Sequence, residues 1–283
     1  MHTTLISASE LAAHLNDSSV VIVDCRHDLM NLAAGRDAYA AGHIPNAVFA
    51  DIETALSGAK RGADGVFRGR HPLPERAALI ESLRALGIDD DSQVVAYDAH
   101  GGMFAARLWW LLRWVGHAGV AVLDGGLAAW QAQSLPLTTE VASPKRGAIN
   151  EHASLVSTAS VEDVVANLAS AERTVVDARA ADRFRGENET IDPVGGHIPG
   201  AKNRFFKDNL AADGRFKDAA QLKADFAALG VEPAKAIMQC GSGVTACHNL
   251  LALEVAGMPG AVLYPGSWSE WCADAARPVA TGA

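Results

Sequence analysis

The sequence predicts an α/β protein made of two similar domains in tandem, each a mostly parallel sheet with helices on both faces. Three observations carry this. The chain repeats itself: "VVIVDCR", "AGHIPNAVF", "LGI", "VVAYDAHGG" and "AVLDGGLAAW" return in the same order as "TVVDARA", "GGHIPGAKN", "LGV", "AIMQCGSGV" and "VLYPGSWSEW". Short apolar, β-branched runs alternate with amphipathic stretches, the pattern of parallel strands joined by crossover helices. The 283 residues, 49% of them apolar, suffice to bury one core in each of two domains.

The elements follow in order. Residues 20–23, 94–97, 174–176 and 236–239 read as buried strands, because apolar side chains run on without polar alternation. "PERAALIESLRAL" (74–86) and "DAAQLKADFAAL" (218–229) place apolar residues at helical spacing, and Gly87 and Gly230 follow as stops. A polar stretch with two prolines, "PLTTEVASPKRGAINEH" (136–152), reads as the linker, giving domains of 1–140 and 153–283. The first domain carries a glycine-rich, charged insert over 51–74, a long loop of the kind that often serves function.

Composition narrows the function. A net charge of −9 argues against a nucleic-acid partner, although a local arginine cluster can still receive an anion. Four cysteines (Cys25, Cys240, Cys247 and Cys272) are too few for a disulfide scaffold, and no CxxC pair suggests zinc. No apolar run is long enough to span a membrane, and the N-terminus lacks the pattern of a secretory signal. The expectation is a reduced, cytoplasmic protein with no metal or organic cofactor.

"CGSGVTAC" sits between a strand (236–239) and the helix of "ACHNLLALEVAG", which reads as amphipathic. Gly241 and Gly243 permit positive φ, so successive amides turn inward, and the helix adds its positive end. Such a cradle favours Cys240 as a thiolate and holds a second anionic sulfur or oxygen. Cys247 falls inside the helix and reads as packing, as do Cys25 and Cys272. Cysteine phosphatases share a cysteine loop before a helix, but need an arginine six positions on for bidentate phosphate binding. Here that residue is Ala246.

With "CGSGVTAC", "GHIP" in both halves, "DGGLAAW" and "GSWSEW", the chain resembles the two-domain rhodanese-family sulfurtransferases over nearly its whole length. The resemblance implies two tandem rhodanese-like domains, with the active cysteine in the second. Asp98 stands opposite Cys240 in the repeat, so the first loop is expected to be inactive. Thiosulfate-preferring members resemble "CRKGVTA" and mercaptopyruvate-preferring members resemble "CGSGVTA". The neutral Gly241 and Ser242 therefore point to 3-mercaptopyruvate, with thiosulfate as the alternative.

The resemblance also implies site residues. Arg183 of "RF" is expected to bind the donor carboxylate, with Arg185 beside it, while Gly241, Gly243, Val244 and Thr245 line the donor loop. Arg179, directly after its strand, reads as structural. Members of the family often carry a second arginine downstream, where this chain reads "ENETIDP" with Asp192. Arg185, Arg68 or Arg70 are the candidates to replace it. His71, an upstream acid (Asp51 or Glu53) and Ser242 would form a proton relay. His43 and His197 recur in both halves, although only one half has a thiol there, and read as structural. The implied partners are a small-molecule sulfur donor and a thiol or cyanide acceptor, thioredoxin among the family's acceptors. A non-catalytic persulfide carrier or redox interaction module is the reading from another class.

Overall fold

The computed structural model describes all 283 residues, which form two compact units. One comprises Met1–Ser57, Pro74–Leu155 and Leu210–Phe216; the other comprises Gly58–Leu73, Val156–Asn209 and Lys217–Ala283. The units are thus not two contiguous stretches. Most of the glycine-rich insert is part of the second.

The first unit holds a five-stranded parallel sheet of β1 (Leu5–Ile6), β2 (Val20–Asp24), β3 (Val48–Phe49), β4 (Gln93–Tyr97) and β5 (Val120–Leu123), ordered β1-β5-β4-β2-β3. The second holds four parallel strands, β6 (Thr174–Asp177), β7 (Lys202–Asn203), β8 (Ala236–Gln239) and β9 (Val262–Leu263), ordered β7-β6-β8-β9. Alternate residues of the first sheet, among them Val95, Tyr97, Ala121 and Leu123, pack with Leu11, Leu127 and Trp130. In the second, Val175, Ile237 and Tyr264 pack with Val164, Trp268 and Trp271. Parallel strands need both faces covered, which is why the central strands read as nearly continuous apolar runs ended by a polar residue.

The repeat is visible in register. Asp24 lies beside Tyr97 in one sheet, and Asp177 beside Gln239 in the other. The next residues, Asp98 and Cys240, therefore occupy equivalent places at the carboxyl end of a central strand, where α/β sheets bind ligands.

A buried ion pair explains the "GHIP" repeat. Arg26 clasps Asp24 and donates to the Gly42 carbonyl at 2.8 Å; Arg179 clasps Asp177 and donates to the Gly196 carbonyl at 2.7 Å. The histidines that follow are equally anchored. His43 Nδ1 lies 2.7 Å from the Tyr39 carbonyl, and His197 Nδ1 lies 2.8 Å from that of Phe184. Both are buried and stacked on an aromatic ring, so they are structural.

Two expectations are corrected. The helix after the Cys240 loop (Thr245–Val255) is not amphipathic. It is buried from Thr245 to Leu253, and its polar His248 and Asn249 are met by the Asn209 amide at 3.2 and 2.7 Å. A helix enclosed on all sides has no polar face to show. The stretch over 136–152 is not a loose linker either. It is strapped to the first unit by Gly147 N–H to Arg84 carbonyl (2.8 Å), Ile149 N–H to Ile88 carbonyl (3.1 Å) and a fully buried Ile149.

Within the second unit, Asp225 accepts from Lys217 at 2.9 Å, Gln221 at 2.7 Å and Arg204 at 3.1 Å. The Lys217 hydrogen bond, with Gln221 and Arg204 adding to it, pulls its carboxyl down from 3.8 to about 2. A lowered folded-state value stabilises the protein above pH ~4, and that contribution fades as pH falls towards ~2. Allowing for solvent screening at this partly exposed site, it is worth about 1 kcal/mol. Asp225→Asn should flatten the acid limb of a pH series of urea unfolding by that amount and leave a smaller slope below pH 4.

Candidate active site

Cys240 follows β8 directly and is 2% exposed. Its loop is fixed by the segment after β9. The Cys240 carbonyl accepts from Trp268 N–H at 2.9 Å, the Gly241 carbonyl from Ser269 N–H at 2.9 Å, and Cys240 N–H donates to Ser267 Oγ at 3.1 Å. Ser267 holds φ of 53° and donates in turn to the Tyr264 carbonyl at 2.9 Å. A non-glycine residue in left-handed backbone is strained and is kept only where its surroundings insist. Ser267 was not among the sequence candidates; its only signal is "GSWSEW" itself.

The two glycines work differently. Gly243 has φ of 78°, and a Cβ there would collide with the Pro265 carbonyl. Gly241 does not adopt positive φ, contrary to expectation. Its role is room: a Cβ there would stand 2.7 Å from Arg70 Nη2 and 3.7 Å from Arg183 Nη2. A side chain there would push the Arg70 guanidinium aside, whereas Arg183 would stay at ordinary contact distance.

The amides of Ser242, Val244 and Thr245 have no backbone acceptor; the last two lie at the start of the helix, where amides lack an intrahelical partner. The first unit shows what such a loop does when filled. There the Asp98 carboxylate accepts from the amides of His100 (2.7 Å), Gly102 (3.0 Å), Phe104 (2.7 Å) and Ala105 (2.9 Å). It is a seat for a negative charge, already occupied.

The charged groups beside the loop are crowded. Arg183 Nε and Nη2 clasp Glu189 (3.1 and 2.8 Å), and Nη2 also reaches Asp192 at 3.2 Å. Arg70 pairs with the other oxygen of Asp192. Burial raises the Glu189 carboxyl, but Arg183 and the amides of Asp192 and Ile191 outweigh it and leave Glu189 below its ordinary value. For Asp192 burial wins over Arg70 and Arg183, and its carboxyl is raised. Arg179 is structural, held by Asp177. Arg185 pairs with Glu187 at the surface and is not among the guanidiniums over Gly241, and exposed Arg68 pairs with Asp64. The sequence expectation for Arg185 is therefore corrected: its chain turns outward at the end of the short helix Ala181–Arg185. Of the three replacements considered for the second arginine, the structure places Arg70 at the loop.

His71 is buried, with Nδ1 2.7 Å from Ser242 Oγ. Asp51 and Glu53 belong to the first unit, where Asp51 accepts from Glu53 N–H at 2.9 Å and faces Arg36 at 3.7 Å. The remaining thiols are unsuited to attack. Burial pushes Cys272 up to about 11 and Cys25 well above the ordinary thiol value, and Cys247 Sγ donates to the Gly243 carbonyl at 3.3 Å.

The family profile of the rhodanese-like domain matches twice, over residues 7–133 and 160–274. The chain belongs to the rhodanese-like family. A Pseudomonas aeruginosa relative named probable 3-mercaptopyruvate sulfurtransferase is 49% identical over 281 residues, 98% of each chain. A Mycobacterium tuberculosis relative named putative thiosulfate sulfurtransferase is 40% identical over 98% of this chain and 97% of its own. The crystal structure of Escherichia coli SseA, a 3-mercaptopyruvate sulfotransferase, superimposes with a TM-score of 0.81 at 35% identity, covering 95% of this rhodanese-like chain and all (100%) of its own. No helix of the chain is long and apolar enough to cross a membrane.

The occupied seat in the first unit is testable. Asp98→Ala leaves four amides without their charged acceptor and should lower unfolding stability by about 3 kcal/mol, measured by urea denaturation. Asp98→Asn, which keeps one acceptor oxygen, should lose less.

Proposed function

We propose that this rhodanese-like protein moves sulfane sulfur from 3-mercaptopyruvate to a thiol or cyanide acceptor through a persulfide on Cys240. The observation that carries the choice of donor is the loop itself. Gly241 and Ser242 add no cation, and the two guanidiniums over Gly241 are already faced by Glu189 and Asp192. Such a site suits one carboxylate rather than a compact double charge.

The Cys240 thiolate attacks the donor sulfur. The S–S bond forms, the C–S bond breaks, and its electron pair leaves on carbon as the enolate of pyruvate. Ser242, hydrogen-bonded to His71, delivers the proton that this carbon takes up. The free amides of Ser242, Val244 and Thr245 and the end of the helix hold the negative outer sulfur. An acceptor thiolate then attacks that sulfur, the S–S bond breaks, and Cys240 returns as thiolate, so kinetics are ping-pong. Thioredoxin is an acceptor of suitable chemistry. Four free thiols suit a reducing compartment, the cytoplasm.

Mass spectrometry after mercaptopyruvate treatment should show one added sulfur (about 32 Da), absent in Cys240→Ser. Addition that survives this substitution overturns the mechanism. In steady state, kcat/KM for mercaptopyruvate should exceed that for thiosulfate, and the opposite order would make thiosulfate the donor. His71→Ala should lower kcat with mercaptopyruvate roughly 100-fold. It should leave sulfur loading from thiosulfate nearly unchanged, since the sulfite released there needs no proton. Equal losses with both donors would remove His71 from the proton step.

A further inference from the structure

The guanidiniums over the loop are not simply available to a donor. Within the second unit, Arg70, Arg179 and Arg183 stand with Asp177, Glu189 and Asp192, three positive groups against three negative, so the cluster is formally neutral. Asp177 is spoken for by Arg179, and Glu189 accepts chiefly from Arg183 and the local amides. Asp192 differs. One of its oxygens takes Arg70 and the other takes Arg183 Nη2 at 3.2 Å, so it bridges the two cations that lie over Gly241. Its side chain is 3% exposed, and it also forms part of the wall of a 680 Å³ cavity, together with Arg70, Arg61, Arg277 and Ser269. Two guanidiniums joined by one carboxylate is the arrangement that a donor's own carboxylate would make.

We propose that Asp192 sets which anions the donor site accepts: its carboxylate is a built-in competitor that admits a singly charged donor and turns away a doubly charged one. The inference deepens the mercaptopyruvate reading and rests on it for the identity of the donor. The physical ground is that Coulombic energy scales with the charge of the guest. A dianion meets twice the repulsion from Asp192 and twice the attraction to Arg70 and Arg183 that a monoanion meets. Because the carboxylates of the cluster match its guanidiniums, the doubled attraction is cancelled, and removing the Asp192 charge would restore a preference for the dianion. Elsewhere in the cavity wall Glu270 and Asp274 carry the same sign as Asp192, but neither bridges Arg70 and Arg183.

The test uses two unreactive anions, pyruvate and sulfate, as protectors of Cys240 against the uncharged alkylating agent iodoacetamide. Asp192→Asn removes the charge and keeps the shape; Asp192→Glu keeps the charge. Asp192→Asn should lower the protection constant for sulfate about tenfold and for pyruvate about threefold, since the logarithms scale with guest charge. It should also raise the ratio of kcat/KM for thiosulfate over mercaptopyruvate about threefold, while Asp192→Glu stays near wild type in both measures. Equal improvement for the two anions, or a shift with Asp192→Glu as large as with Asp192→Asn, overturns the proposal. Circular dichroism checks folding, and Asp192→Ser replaces Asp192→Asn if that variant does not fold. The protection constants do not depend on turnover. If wild-type protein gains no sulfur from mercaptopyruvate, the donor reading fails and the role of Asp192 is still decided.

Discussion

The Cys240 and Gly241 carbonyls are tied to the amides of Trp268 and Ser269, and the rest of the site hangs from these two bonds. They hold the reactive loop against the turn that follows β9, so the cysteine leaves its strand in one direction. Ser267, strained into left-handed backbone, takes the Cys240 N–H and completes the clamp. That donor is therefore spent on structure, and the cradle for an outer sulfur is left to the amides further along. Trp268 is itself buried, with its indole N–H on the Val194 carbonyl at 2.8 Å. Core packing and loop geometry are one construction: the residue whose side chain packs on the second sheet also supplies the backbone amide that holds the Cys240 carbonyl.

Charge around the loop follows a second constraint. Guanidiniums strong enough to recruit a carboxylate are, without a guest, costly to bury unpaired. The chain meets that cost with its own carboxylates, giving Arg179 and Arg183 mostly to Asp177 and Glu189 and sharing Asp192 between Arg183 and Arg70. Under the proposed reading, donor binding would be an exchange of partners rather than the filling of a bare positive site.

Much of this was legible in the sequence, and the exceptions have physical causes. The central strands were readable because parallel strands between helices leave a nearly continuous apolar signature, and the repeat supplied the duplication but not the strand order. Cys240 and Gly243 were readable because a tight turn onto a helix limits the residues allowed. The character of the helix after the loop was not readable: Thr245–Val255 has polar members whose partners, such as Asn209, lie far away in sequence. Arg70 was legible only as one of three replacements, since Gly58–Leu73 folds with the second unit although it is written in the first half. Arg183 and Arg185 look alike in "RFRG". Only the turn of a five-residue helix sends one to the loop and the other to the surface.

Asp98 gives the duplication a meaning of its own. Its carboxylate is a ligand attached to its own receptor, so its effective concentration cannot be diluted away. The four amides that hold it are the backbone equivalent of a receptor frozen in its bound state. In the second unit a cysteine stands at the equivalent strand end, and under the proposed mechanism its guest would arrive, react and depart. One strand end thus carries two kinds of loop, one closed on its own carboxylate and one that presents a thiol beneath Arg70 and Arg183.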